Sequence, residues 1–135
     1  MSEIERRVMD LAARDAFARL LGARCVDAGP GTATVRLTVG DQHVNFNGTC
    51  HGGVLFSLAD TAFGLASNSH GRLAAAVDAH IGFTAPVRVG DVLLASAREL
   101  GRSNRIGTYR VDVRRGEDMV AAFTGTVYIS PREHA

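Results

Sequence analysis

Apolar positions in residues 3–21, EIERRVMDLAARDAFARLL, recur at helical spacing. Ile4, Val8, Leu11, Ala12, Ala16, Leu20 and Leu21 fall near one face, which predicts a single amphipathic helix stopped by Gly22. The period then changes to two. ARCVDAG and TATVRLTV alternate as strands do, with Gly29-Pro30-Gly31 as the turn between them. Residues 52–69 return to a helical period, and Gly71 closes that segment. Everything beyond reads as strand: LAAAVDAHIGFTAP to Pro86, VLLASAREL after an RVGD turn, RIGTYRVDVRR after GRSN, and MVAAFTGTVYI after the Gly116-Glu117-Asp118 corner. Short turns imply antiparallel pairing, and one long apolar helix against such a sheet gives an α+β domain. With no linker, repeat or low-complexity stretch, residues 1–135 read as a single domain.

The long helix has an unusual polar face. At about 100° per residue, Gly53, Ser57, Asp60, Gly64 and Ser67 form one narrow stripe, with Thr61 and Asn68 on its shoulder. Apolar residues cover the rest. A surface helix normally carries a broad face of long charged side chains. A thin stripe of small residues around one acid instead suits the close approach of a backbone or a slender ligand, so Asp60 is expected to be enclosed. An enclosed carboxylate is costly unless it is paired or used. The plainer alternatives are an acid satisfied locally by Ser57 or Thr61, or a weak spot in an exposed helix.

The start of this helix offers a second element. His51 precedes Gly52 and Gly53, whose amides are expected to be uncovered at the positive end of the helix dipole. Such amides bind an anion or steady a developing oxyanion, or simply face water in a glycine turn. Eight residues from Gly52 to Asp60 amount to about 12 Å of helix rise. An attacking group must lie roughly 3–3.5 Å from the carbon it attacks. One copy cannot supply both. If the two elements share a site, Asp60 comes from a second subunit whose helix runs antiparallel across a two-fold axis.

Composition narrows the chemistry. The formal net charge is +1 and 46% of residues are apolar, which argues against nucleic-acid or membrane-surface binding by bulk electrostatics. No apolar run reaches the roughly 20 residues of a membrane helix, and the charged N-terminus lacks a signal-peptide core, so a cytoplasmic protein is expected. Cys25 and Cys50 fit two buried thiols better than a bridge. Every basic residue is arginine. Without lysine there is no Schiff-base chemistry and no P-loop lysine.

The pattern Asn45…His51-Gly52-Gly53…Leu58-Ala59-Asp60-Thr61-Ala62, with Pro86 and the Gly90-Asp91 turn, resembles the hotdog-fold acyl-CoA thioesterases. TCHGGVLFSLADTAF is most similar to the signature of the PaaI type, the phenylacetate-degradation members of the 4-hydroxybenzoyl-CoA thioesterase-like group. The resemblance implies a hotdog fold, a long central helix wrapped by an antiparallel sheet. It implies hydrolysis of phenylacetyl-CoA or a ring-hydroxylated relative, with no cofactor beyond the coenzyme A of the substrate. The amide matching Gly52 polarises the carbonyl, and the carboxylate matching Asp60, from the neighbouring subunit, attacks it or activates water. Asn45 orients the attacking group or water, and His51 shapes the carbonyl end. Asn45 and Thr61 are expected to offset the rise in pKa that enclosure brings to Asp60. The implied assembly is a homodimer that pairs again as a dimer of dimers. Two positions depart from the pattern: Ala76, where relatives can carry a hydroxyl residue, and His80, at a family asparagine position.

Other readings remain open from the residues. A hotdog enoyl-CoA hydratase or dehydratase also uses a helix-borne acid, but typically with a catalytic histidine; a non-catalytic acyl-CoA-binding module would make Asp60 structural. Arg102, Ser103 and Arg105 in a turn, with Arg88 and Arg72, are candidates for the coenzyme's phosphates, each equally readable as a solvated surface residue. Cys50 is not expected to be a nucleophile, since its neighbour His51 points away and no third group orients it. The five histidines lack metal-site spacing, so no metal is expected, and His70 and His134 read as surface residues. Phe46, Phe56 and Phe63 would line an aromatic pocket or fill the core.

Overall fold

The structure is a computed structural model that describes residues 1–134. Its N-terminal segment is two helices rather than one, α1 (Glu3–Ala13) and α2 (Ala16–Leu21). The break comes at Asp15, whose Oδ1 accepts the Ala18 N–H at 2.9 Å and caps α2. That interruption rephases the apolar face. Ala18 and Leu21 turn inward, while Ala16 and Leu20, expected inside, are exposed. Gly22, at φ +88°, ends α2 in a left-handed conformation that costs glycine little.

Six strands follow: β1 (Arg24–Gly29), β2 (Thr32–Thr38), β3 (Arg72–Phe83), β4 (Val92–Arg102), β5 (Ile106–Arg115) and β6 (Asp118–Glu133). Every pairing is antiparallel, in the order β1-β2-β4-β5-β6-β3. The long helix α3 (Gly52–Ser67) lies on one face. This is the hotdog architecture that the signature implies.

Alternation decides which face receives the helix. Leu93, Ala95 and Ala97 of β4, Tyr109, Val111 and Val113 of β5, and Phe123, Val127 and Ile129 of β6 are buried, and the residues between them point outward. Leu58, Ala59, Ala62, Phe63 and Ala66 of α3 meet them, all buried. The Phe63 ring lies 5.3 Å from Phe123 and 5.8 Å from Tyr109, centroid to centroid. It sits over Gly125, where an added Cβ would lie 2.7 Å from the ring. Burying this one side chain stabilises the fold by about 2–3 kcal/mol.

Two other features position the site. The segment between β2 and α3 is held by His43, which is buried. Its Nδ1 accepts the Gly40 N–H at 2.9 Å, so the ring proton sits on Nε2 and is donated to the Leu21 carbonyl at 2.7 Å. The other feature is β3, which pairs on one side only and is exposed from Ala75 to His80.

Candidate active site

His51 is the N-cap of α3, and its backbone (φ −62°, ψ 136°) turns the chain into the helix. Its Nδ1 accepts the Gly53 N–H at 2.7 Å. Its carbonyl accepts the N–H of Val54 at 2.9 Å and of Leu55 at 3.4 Å. Of the four amides a helix start leaves without partners, only that of Gly52 has no acceptor among the described residues. The expectation of two uncovered amides is corrected to one. Gly52 opens onto a cleft of about 450 Å³ walled by Thr49, Cys50, Leu55, Phe83, Pro86 and Val87.

Asp60 opens elsewhere. It faces a groove of about 640 Å³ that follows α3 from Phe56 to Asn68. Leu11, Asp15 and Phe17 form one wall, and Leu73, Ala74 and His134 close the far end. Within one protomer neither enclosure nor local satisfaction holds for Asp60, and of the three readings the exposed helix position is the one a single chain shows. It is exposed rather than enclosed. Nor is it satisfied locally: the Ser57 hydroxyl donates to the Gly53 carbonyl and the Thr61 hydroxyl to the Ser57 carbonyl, both at 2.7 Å, so Thr61 has no proton left for the acid. The groove walls still strip enough water to push the Asp60 carboxyl above its ordinary range, and the Asp15 charge adds to this. Ser67, placed in the stripe by the wheel, is buried.

Asn45 is oriented by its surroundings. Its Oδ1 accepts the N–H of Asn47 (2.9 Å), the N–H of Thr49 (3.2 Å) and the Thr49 hydroxyl (3.3 Å). Three donors on one atom identify it as the oxygen. The Nδ2 group is left to donate outward. Beside it Phe46 is 96% exposed.

A family model of the thioesterase superfamily matches residues 47–122. The chain is 41% identical over 112 residues to the acyl-coenzyme A thioesterase PaaI of Escherichia coli (strain K12), covering 82% of this chain and 80% of that protein. The structure of the E. coli PaaI protein from the phenylacetic acid degradation operon matches with a TM-score of 0.91 at 33% identity, over 97% of this chain and 99% of that one. A Streptococcus mutans UA159 protein solved bound to acetyl CoA matches with a TM-score of 0.79 at 27% identity, over 83% of this chain and 91% of that one. This chain belongs to the thioesterase superfamily, as a PaaI-type member.

The arginines of this thioesterase considered for phosphate binding occupy three settings. Arg88 follows Val87 of the Gly52 cleft, and its backbone N–H is held by Asp91 Oδ2 at 2.9 Å. Arg102, Ser103 and Arg105 lie in the β4–β5 turn, near His70 beyond the far end of α3. Ser103 closes that turn onto Ile106, Arg105 reaches the Asn104 carbonyl, and Arg102 lies 3.5 Å from the Tyr109 hydroxyl. Arg72 is a different case. Its guanidinium is engaged by Ser130 O, Asn104 Oδ1 and Asn104 O, so it clamps the turn rather than standing ready for a phosphate.

Cys50 is buried, which pushes its thiol up to about 11, with the Asp91 charge contributing; this fits its exclusion as a nucleophile. Phe63 is core, Phe56 lines the Asp60 groove, and Phe46 does neither in one protomer. His134 is not a plain surface residue: it is half-buried, lines the groove and binds Asn68. His70 is exposed but pairs with Glu99, which also accepts from the buried Tyr109. Sequence reasoning passed over Asp15 and His43. The Asp-x-x-Ala cap was a readable signal for the first; no sequence signal marks His43.

Among the described residues no cluster of side chains could hold a metal ion, and no helix is long and apolar enough to cross a membrane.

Proposed function

We propose that this thioesterase hydrolyses phenylacetyl-CoA or a ring-hydroxylated phenylacetyl-CoA to the free acid and coenzyme A, at sites shared by two copies of the chain. The observation that carries the reading is the combination, among the described residues, of one amide without an acceptor at the start of α3, that of Gly52, and a carboxylate without a partner at Asp60. The two lie about 12 Å apart on one helix and open onto different hollows. Neither can serve a carbonyl alone. A two-fold axis through the exposed edge of β3 pairs that strand with its own copy, covers an edge that invites pairing, and sets two α3 helices antiparallel on one face. Each Gly52 amide then approaches the partner's Asp60.

The Gly52 N–H polarises the thioester carbonyl and holds the oxygen as it gains charge. Asp60, ionised, attacks the carbon or takes a proton from water that does so. The Nδ2 of Asn45 orients that water, and His51 fixes the amide by capping the helix. Arg88 and the arginines of the Arg102–Arg105 turn receive the phosphates. No cofactor enters the reaction. Two free cysteines suit a reducing, cytoplasmic setting. Relatives named as acyl-CoA thioesterases and the neighbour bound to acetyl CoA support the substrate class.

The test is thiol release across aromatic, short-chain and long-chain acyl-CoAs, with the solution mass measured alongside. Wild type releases thiol fastest from arylacetyl-CoA, and its mass is a multiple of two chains of 14.3 kDa. Asp60→Asn keeps that mass and loses nearly all turnover. An active Asp60→Asn enzyme, or an active monomer, defeats the proposal.

A further inference from the structure

We infer that His134 reads the distal end of the acyl group, its Nδ1 accepting a hydrogen bond from a hydroxyl on the aromatic ring. The inference rests on the substrate and the Asp60 role proposed above, and takes the acyl group to lie in the groove that Asp60 lines.

His134 and Asp60 line the same groove. Between them α3 presents Gly64, where an added Cβ would meet nothing within 4 Å, so the floor there is open. Phe17, Phe56, Leu65 and Leu73 supply apolar walls. From Asp60 to Asn68, the partner of His134, is again about 12 Å of rise. A phenylacetyl group measures roughly 6–7 Å from carbonyl carbon to a ring oxygen, at ordinary bond lengths of about 1.4–1.5 Å. With an attack distance of roughly 3 Å and a hydrogen bond of about 2.8 Å, such a group is comparable in length to the stretch of helix that separates the two residues.

The hydrogen bonds decide what the far end recognises. Asn68 is locked: its Oδ1 accepts the Ala74 N–H at 2.9 Å, while its Nδ2 donates to the carbonyls of Ala74 (3.1 Å) and Gly64 (2.8 Å). The amide cannot flip, so His134 Nε2, 2.7 Å from Asn68 Oδ1, must be the donor. In the neutral ring the lone pair then sits on Nδ1, which has no partner among the described residues. Burial lowers the His134 pKa, and the charges of Arg14 and Arg7 lower it further, which keeps the ring neutral. The backbone of His134 is tied to the Gly71 carbonyl at 2.9 Å. The far end therefore offers an acceptor, which suits a phenol and not its methyl ether.

The experiment compares kcat/KM for phenylacetyl-CoA, its 3- and 4-hydroxy derivatives and their methyl ethers, in wild type and in His134→Phe. Wild type is expected to favour one hydroxylated isomer about tenfold over both the unsubstituted substrate and the matching ether. In His134→Phe that preference falls to within about twofold. A preference that survives His134→Phe overturns the inference. So does a wild type that treats ether and phenol alike, a result that needs no variant to fold. If no arylacetyl-CoA is hydrolysed while another acyl-CoA is, the substrate reading itself fails and takes the inference with it.

Discussion

Replacing Gly52 with proline removes the amide proton from the proposed site and sets the ring Cδ where it was, so the carbonyl oxygen loses its donor and the room beside it. Gly52 is the first helical residue of α3, and its N–H makes no hydrogen bond within the helix. Proline is tolerated there because the donor it lacks is unused and its fixed φ suits a helix start. His51 before it is already extended, at ψ 136°, the conformation that a following proline demands. The remaining cost is steric: a Cβ at position 52 would lie 3.1 Å from the Phe83 ring. Phe83 is 53% exposed and can give by a few tenths of an ångström. Gly52→Ala makes the same contact and keeps the N–H, so it sets the baseline. Losing an oxyanion donor typically costs about 10²–10³ in kcat, or about 2.7–4 kcal/mol. Gly52→Pro should fall below Gly52→Ala by that factor in a thiol-release assay, with melting temperatures within a few degrees of each other. A proline variant within tenfold of the alanine variant would show that this amide does not hold the oxyanion.

Three further outcomes follow from named contacts. Asp60 must be ionised to work, and its raised pKa means that kcat/KM is lost as pH falls through a value above the ordinary 3.8. Asp15→Asn removes the like charge yet keeps an N-cap, so the acid limb of the pH–rate profile should move to lower pH; a fixed limb would dissociate Asp15 from the acid. His43→Leu strands the Gly40 N–H and the Leu21 carbonyl in the interior, and should lower unfolding stability by about 2–4 kcal/mol in urea titrations, with wild-type stability refuting the bridging role. Burial works to raise the Glu99 pKa, but hydrogen bonds from Tyr109 and His70 and the Arg102 charge outweigh it and leave it lowered. The stability this adds is present above about pH 4.5 and is lost as pH falls through the lowered value. Glu99→Gln should therefore flatten that part of the acid-stability curve, and an unchanged curve would count against the network.

The sheet was legible because its strands alternate cleanly between faces, and short turns left no choice but antiparallel pairing. The signature around His51 and Asp60 was legible because glycines and a lone acid stand out against an apolar helix. The N-terminal break was missed because apolar spacing alone carried the reading, while the Asp15 side-chain cap that divides the helices went unread. That one chain alone does not enclose Asp60 was not legible, for a different reason. A helical wheel reports which residues share a face, not whether the same chain covers it. His134 could not be placed, since nothing in the sequence says that the residue following β6 returns to the groove beside α3.

Phe63 over Gly125 acts as a locating pin. A ring packed this closely on bare strand backbone leaves no room for a side chain at Gly125 and sets the height of α3, and with it Asp60 three residues earlier, above the sheet. Gly125 stands opposite Ala79 in the pairing of β6 with β3. The pin thus indexes the acid to the very edge where a second copy would join. Two chains aligned along that edge would inherit the geometry of their reacting groups without any further adjustment.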